Sequence, residues 1–164
     1  MEIQYFKDEL KNKLKQAAKI AVLGIGSELR GDDNAGMLAA QELKKALGGN
    51  KNLKFILGGS APENFTGEII KFSPSHIIII DSADLGKNAG AIELIKEEDI
   101  GGVSFSTHRL PTKILIDYLK NSINCEFIFI GIQPKTLKFG DLVSEEVKAS
   151  VKFLSESIQE ILSA

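Results

Sequence analysis

The sequence predicts one α/β domain, a three-layer α/β/α sandwich with a mostly parallel, twisted sheet of about five strands and an antiparallel strand at one edge. Short apolar runs alternate along the chain with longer segments whose apolar residues lie three or four apart, as expected of strands and crossover helices. The four isoleucines at 77–80 are typical of a strand covered on both faces. With 164 residues the chain suits one well-packed domain, so residues 1–164 are treated as a unit.

In the first half of the chain, a helix precedes a β-α-β-α-β series. Apolar residues that recur with helical spacing predict helices, and Pro62 suits a helix start because its missing N–H is not needed there. These predicted helices are residues 2–18, 35–47 and 62–72. Short apolar runs predict strands at residues 20–24, 53–58 and 76–81.

In the second half, the predicted elements are an edge strand at 91–96, a helix at 111–122, a strand at 126–132 and a helix at 145–162. Ser144 is placed to cap the last helix. Because β-α-β crossovers are right-handed, the loops that follow the parallel strands gather at one edge of the sheet, where open α/β sheets bind ligands. The functional residues are therefore expected in those loops.

The composition argues against several classes of function. A formal net charge of −2 provides no basic surface for nucleic acid, since such binding depends on neutralising phosphates. The charged N-terminal residues and the lack of a long apolar run predict a cytoplasmic protein without membrane insertion. The single cysteine, Cys125, excludes an internal disulfide and a CxxC motif, and its place at the start of an apolar strand predicts a small buried thiol.

The loop after the first strand, GIGSELRGDDNAG at 24–36, combines glycines with two adjacent aspartates. Its glycine spacing departs from the dinucleotide fingerprint, and the charges of Asp32 and Asp33 oppose a phosphate at the following helix start. One aspartate could simply cap that helix. We assign Asp32 to the loop and the helix start, and Asp33 to the binding of a cation.

Two further candidates follow later strands. Asp81 ends the predicted isoleucine strand, where a cap or turn role is the alternative, and His108 lies in a polar loop, where it could be a base, a ligand or inert. Asp33, Asp81 and His108 together provide two oxygens and one nitrogen, a set suited to a divalent transition metal with open positions. His76, at the opposite end of its strand, is interpreted as structural or exposed.

Some loop residues have less specific interpretations. Gln133 could hydrogen-bond a peptide backbone or be an ordinary polar residue at a strand end. Phe105, Leu137 and Phe139 are apolar loop residues and candidates for a docking surface.

Five blocks of the sequence resemble, in order, those of the [NiFe]-hydrogenase maturation endopeptidases. The resemblance is greatest to the branch that processes hydrogenase 3 and related formate-hydrogenlyase enzymes. The blocks are VLGIGSELRGDDNAG, GGSAPENF, IIIIDSADLGKNAGAI, STHRLP followed by LIDYL, and FIFIGIQP, over about residues 20–135. The metal-contacting triad of that family falls on Asp33, Asp81 and His108. The departures from its pattern are Ser27, Asn34 and Leu57, none of them at a triad position.

The resemblance implies an endopeptidase that removes the C-terminal extension of a hydrogenase large-subunit precursor after nickel insertion. Asp33, Asp81 and His108 would contact nickel that the precursor carries. The metal would then be both the recognition element and the Lewis acid. Whether the free enzyme holds the metal stays open, and a monomer is expected. The alternatives are a metal-recognising maturation chaperone that does not cleave and a nucleotide-binding α/β module.

Overall fold

The computed structural model describes residues 2–105 and 112–163, which form a mixed sheet covered by helices on both faces. The strands are β1 (Ile20–Ile25), β2 (Leu53–Gly59), β3 (His76–Asp84), β4 (Ile92–Ile95), β5 (Ser104–Phe105) and β6 (Glu126–Ile132). Their order is β2-β1-β3-β6-β4, with β1, β2, β3 and β6 parallel and β4 antiparallel to β6. The predicted fold class and the antiparallel edge strand are therefore confirmed. The short β5, which was not predicted, pairs with the last two residues of β3.

The helices divide between the two faces of the sheet. They are α1 (Glu2–Lys13), α2 (Ala35–Leu47), α3 (Thr66–Phe72), α4 (Thr112–Ser122) and α5 (Glu145–Ser163). Side chains alternate along β3, so that Ile78 and Ile80 pack with α1, α2 and α5, while Ile77 and Ile79 pack with α3 and α4. None of the helices in the described residues has both the length and the apolarity that a membrane span requires.

The helix boundaries differ from the prediction at two places. The first helix ends at Lys13, and Leu14 and Ala17 continue its apolar stripe from a turn. The segment from Pro62 begins as a 3₁₀ turn, with α3 starting at Thr66. At α5 the predicted cap is confirmed, since the Ser144 hydroxyl accepts a hydrogen bond from the Val147 amide at 3.4 Å.

The strand order creates a crevice between β1 and β3. The chain leaves β1 through α2 to reach β2 on one side, then crosses back through α3 to β3 on the other side, with α2 and α3 on opposite faces. Ligands bind open α/β sheets at such a change of direction, beyond the carboxyl ends of the strands. Pairing between β1 and β3 ends at Gly24 and Ile80, whereas β3 continues to Asp84. The crevice therefore opens beside the last residues of β3.

A glycine lets α2 begin directly above this crevice. A Cβ atom at Gly36 would lie 2.1 Å from the carbonyl oxygen of Ile80 and 2.5 Å from that of Ile25. Both are backbone atoms of central strands, which cannot shift without disturbing the sheet. Gly36 thus fixes the approach of α2, and with it the position of the turn that precedes the helix.

We expect Gly36→Ala to lower the free energy of unfolding by about 2–3 kcal/mol, because the added methyl group overpacks the junction between α2 and the sheet. Gly67→Ala is the matched control, since Gly67 lies in α3 and a methyl group added there would have no neighbouring atom within 4 Å. That control should instead gain about 0.5–1 kcal/mol from helix propensity. Urea denaturation of both variants measures the difference, and equal stabilities would contradict the close packing at Gly36.

Candidate active site

Asp33 lies at the crevice, in the 3₁₀ turn Gly31–Asn34 that joins β1 to α2. Its side chain is buried, with 2% of the residue exposed. One carboxylate oxygen accepts the Ser27 amide at 3.0 Å and the other accepts the Ser82 hydroxyl at 3.1 Å. A carboxylate has about four lone-pair positions, so the donors found within residues 2–105 and 112–163 occupy about half of them. Asp33 is therefore held in place and can still bind a cation or a further donor.

Asp81 is also buried, but it lies within β3 and not at its end. The prediction that the strand ends at this residue is wrong, because Asp81 pairs with Gly131 of β6 and β3 then continues to its pairing with β5. The turn alternative assumed a strand end at Asp81, which instead lies three residues before the end of β3. Asp81 is the first residue of β3 beyond the pairing with β1, so it borders the crevice.

Asp33 contacts Ser82, the residue that follows Asp81 in the chain. Successive side chains of a strand point to opposite faces, so Asp81 belongs to the face of β3 that carries α3 and α4. The two aspartates thus border the same crevice from different elements. At this level β1 still pairs with β2 through Ile25, but its pairing with β3 has stopped, so no β1 residue is paired with Asp81.

The two histidines have different outcomes. His108 lies outside the described residues, so its part in the triad stays a prediction. His76 is buried at the amino end of β3, on the opposite edge of the sheet. Its Nδ1 atom is 2.9 Å from the Ser75 hydroxyl and its Nε2 atom is 3.8 Å from a carboxylate oxygen of Glu126. A structural role for His76 fits this position.

Asp32 has a role that the sequence did not reveal. It is fully buried, and one of its oxygens accepts the amides of Lys135 and Thr136, at 2.8 and 3.2 Å, and the Ser144 hydroxyl at 2.8 Å. The other oxygen accepts the Ser144 amide at 2.7 Å. These four donors match the acceptor capacity of a carboxylate. We call this set of contacts the Asp32 clamp, because it binds the segment 135–144 to the turn that carries Asp33.

The clamp corrects the predicted role of Asp32 at a helix start. Neither aspartate caps α2, whose N-cap position is occupied by Asn34 without a side-chain hydrogen bond. Asp32 instead supports the start of a different helix, α5, through Ser144. Its partners lie 103 to 112 residues further along the chain, so local spacing contained no signal for them.

Gln133, at the end of β6, binds the backbone of its own chain. Its side-chain oxygen accepts the Leu85 amide at 2.6 Å and the Lys87 amide at 3.4 Å. This oxygen therefore orders the turn after β3, close to the crevice. The predicted hydrogen bond to a peptide backbone is present, but within the protein.

Cys125 precedes β6 at the edge of the sheet opposite the crevice, and it is half-buried where a buried thiol was expected. Burial raises the pKa of its thiol, which lowers the fraction of reactive thiolate. Cys125 is therefore at the wrong edge of the sheet, and too little ionised, to be the nucleophile of the candidate active site.

Comparisons with known proteins agree on one family. The family model for hydrogenase maturation proteases, HycI, matches residues 37–161, a range that includes Asp81 and His108 and begins after Asp33. The hydrogenase 3 maturation protease of Escherichia coli is 37% identical over 139 residues, which cover 84% of this chain and 87% of that protein. A chain of Methanocaldococcus jannaschii with a provisional assignment as a hydrogenase maturation protease is 42% identical over 162 residues, 95% of each chain.

The solved structures agree with these sequence matches. The crystal structure of the [NiFe] hydrogenase maturation protease HycI from Thermococcus kodakarensis superposes with a TM-score of 0.88 at 29% identity, covering 95% of this chain and 99% of that one. The solution structure of the endopeptidase HycI from Escherichia coli superposes with a TM-score of 0.74 at 34% identity, covering 87% and 90%.

Proposed function

Since this chain belongs to the hydrogenase maturation protease family, we propose that it removes the C-terminal extension of a [NiFe]-hydrogenase large-subunit precursor once nickel has been inserted. The endopeptidase activity follows from the family. The nickel requirement, the C-terminal site of cleavage and the roles of Asp33, Asp81 and His108 are the parts that we propose.

The state of the Asp33 carboxylate is the observation that supports this proposal most directly. The group is buried at the crevice and held by two donors, and donors from the described part of the chain occupy only about half of its acceptor positions. Two carboxylates and one imidazole are fewer ligands than the four of a typical closed structural site. Such a set suits a metal that another protein supplies together with ligands of its own.

Nickel is thus part of the substrate in this proposal. Soft thiolate ligands would keep the metal bound to the precursor, and the oxygens of Asp33 and Asp81 would add to its coordination. The bound metal would polarise the scissile carbonyl or activate a water molecule. Ser27 and Ser82 orient Asp33 toward this task through the amide and hydroxyl hydrogen bonds described above. His108 would contact the metal or carry a proton to the leaving amide nitrogen.

The test is cleavage of a [NiFe]-hydrogenase large-subunit precursor from the same organism, prepared with nickel and without metal. We expect intact-mass spectrometry to detect loss of a C-terminal peptide from the nickel-loaded precursor alone. A zinc-loaded precursor is the matched control for the presence of any metal. Equal cleavage of the metal-free precursor would contradict the nickel requirement. Formation of a complex without any change of mass would favour the chaperone alternative.

A further inference from the structure

We propose that four exposed apolar side chains beside the crevice form a docking surface for an apolar segment of the large-subunit precursor. The four residues, called the docking patch below, are Leu29, Leu137, Phe139 and Leu142. This inference rests on the proposed function, because it assigns the patch to the same substrate.

The patch concentrates apolar exposure in two short loops. Leu29 is 61% exposed, Leu137 38%, Phe139 73% and Leu142 85%. Among the residues that the structure describes, four of the eight large hydrophobic side chains that are exposed lie in these two loops. Two of them, Leu137 and Phe139, were candidates from the sequence. Exposed apolar residues are ordinary when scattered, whereas a concentration of them indicates an interaction site.

Backbone hydrogen bonds join the two loops into one platform. The Gly140 amide donates to the Leu29 carbonyl at 2.8 Å, and the Gly31 amide donates to the Asp141 carbonyl at 3.1 Å. Gly31 allows this close approach, because it has a φ of +54° and a Cβ there would lie 2.9 Å from the Thr136 carbonyl oxygen. The patch is therefore held together before any partner binds.

The Asp32 clamp fixes this platform next to the candidate active site. Its carboxylate binds the segment that carries Leu137, Phe139 and Leu142, and Asp32 is the chain neighbour of Asp33. The Thr136 hydroxyl also donates to Asp141 at 2.6 Å, which closes the segment on itself. A preorganised surface loses little conformational entropy on binding, so apolar contacts made there add directly to affinity.

Position and charge together identify the partner. The patch lies in the loops that follow β1 and β6, at the same edge of the sheet as the crevice, so a protein whose scissile bond reaches the crevice approaches the edge that carries the patch. The exposed charged residues of the two loops are of both signs: Glu28 and Asp141 are acidic, and Arg30, Lys138 and Lys135 are basic, with Lys135 paired to Glu146 at 2.9 Å. No net charge therefore selects an acidic or a basic partner. The surface is suited to an apolar stretch of the precursor.

The experiment measures binding separately from cleavage. Nickel-loaded precursor is titrated against the Asp33→Asn protein, with and without Phe139→Ser and Leu142→Ser together. We expect the patch substitutions to raise Kd by about 10-fold or more, as for apolar residues at the centre of an interface. In the protein with Asp33 intact, the same substitutions should raise KM and leave kcat unchanged.

The matched control replaces Ile3 and Tyr5 by Ser, because these residues on α1 are exposed to a similar degree, at 59% and 66%. The control should change Kd by less than about 2-fold, the range expected of contacts outside an interface. Equal Kd values for the patch variant and the unsubstituted patch would overturn the proposal. So would light scattering that detects a dimer lost only in the patch variant, since the patch would then bind a second copy of this chain.

The two proposals can fail separately. Patch-dependent binding without cleavage would leave the docking patch in place and contradict the protease mechanism. Cleavage at the same rate and with the same KM after the patch substitutions would support the protease mechanism and contradict the docking patch.

Discussion

Replacing Asp33 by Asn is expected to lower the rate of precursor cleavage by about 100-fold or more, because the charge that would bind the cation is lost while the size of the side chain is kept. The fold should tolerate the change. An amide oxygen can still accept the Ser27 amide, and the Ser82 hydroxyl can turn to accept from the new NH₂ group. We expect the melting temperature to change by less than about 3 °C, the equivalent of about 1 kcal/mol. Single-turnover cleavage followed by mass spectrometry gives the rate.

Two companion variants sharpen this test. Glu28→Gln makes the same charge change in the same loop at an exposed residue, and it should leave the cleavage rate within about 2-fold, as for surface substitutions away from special features.

Asp81→Asn should lose about as much activity as Asp33→Asn. The double variant should lose little more than either single one, because groups that act as a unit are not additive. Unaltered cleavage by Asp33→Asn would remove Asp33 from the mechanism.

The layered fold could be predicted because its signals are local. The isoleucines of β3 and the helical spacing of α5 each identify their own element, and alternation of such elements implies a mostly parallel sheet. The strand order could not be predicted in this way, since β1 pairs with β3 across 56 residues of chain, as in the pair Ile20 and His76. The crevice between these strands was therefore known from the sequence only as an edge of the sheet.

In the candidate site, too, the features with local sequence signals could be predicted and those that depend on distant parts of the chain could not. Two aspartates in a loop after a strand indicated a cation, and the structure distinguishes them by the number of donors each accepts. The end of β3 was misplaced because pairing with β6 and β5, and not the residue type at Asp81, decides where that strand stops. The Asp32 clamp was missed because its donors are mostly backbone amides, which carry no sequence signature.

Replacing Asp32 by Ala should lower the free energy of unfolding by about 4 kcal/mol, because four hydrogen bonds to a buried charge are lost and their donors are left without partners. The corresponding fall in melting temperature is roughly 12 °C for a chain of this size. Asp32→Asn should cost about half as much, since its amide nitrogen must replace one of the two acceptor oxygens and face a donor. Thermal and urea denaturation measure both variants.

The control for this charge change is Asp117→Ala, because Asp117 makes an exposed pair with Lys113 at 3.4 Å and should contribute no more than about 0.5 kcal/mol. Hydrogen exchange then distinguishes loss of the clamp from general loosening of the fold. In Asp32→Asn, the amides of Lys135, Thr136 and Ser144 should lose protection before the amides of α2 do. If these three amides keep their protection, the segment 135–144 is held by other contacts, and the Asp32 clamp does not couple the docking patch to the turn of Asp33.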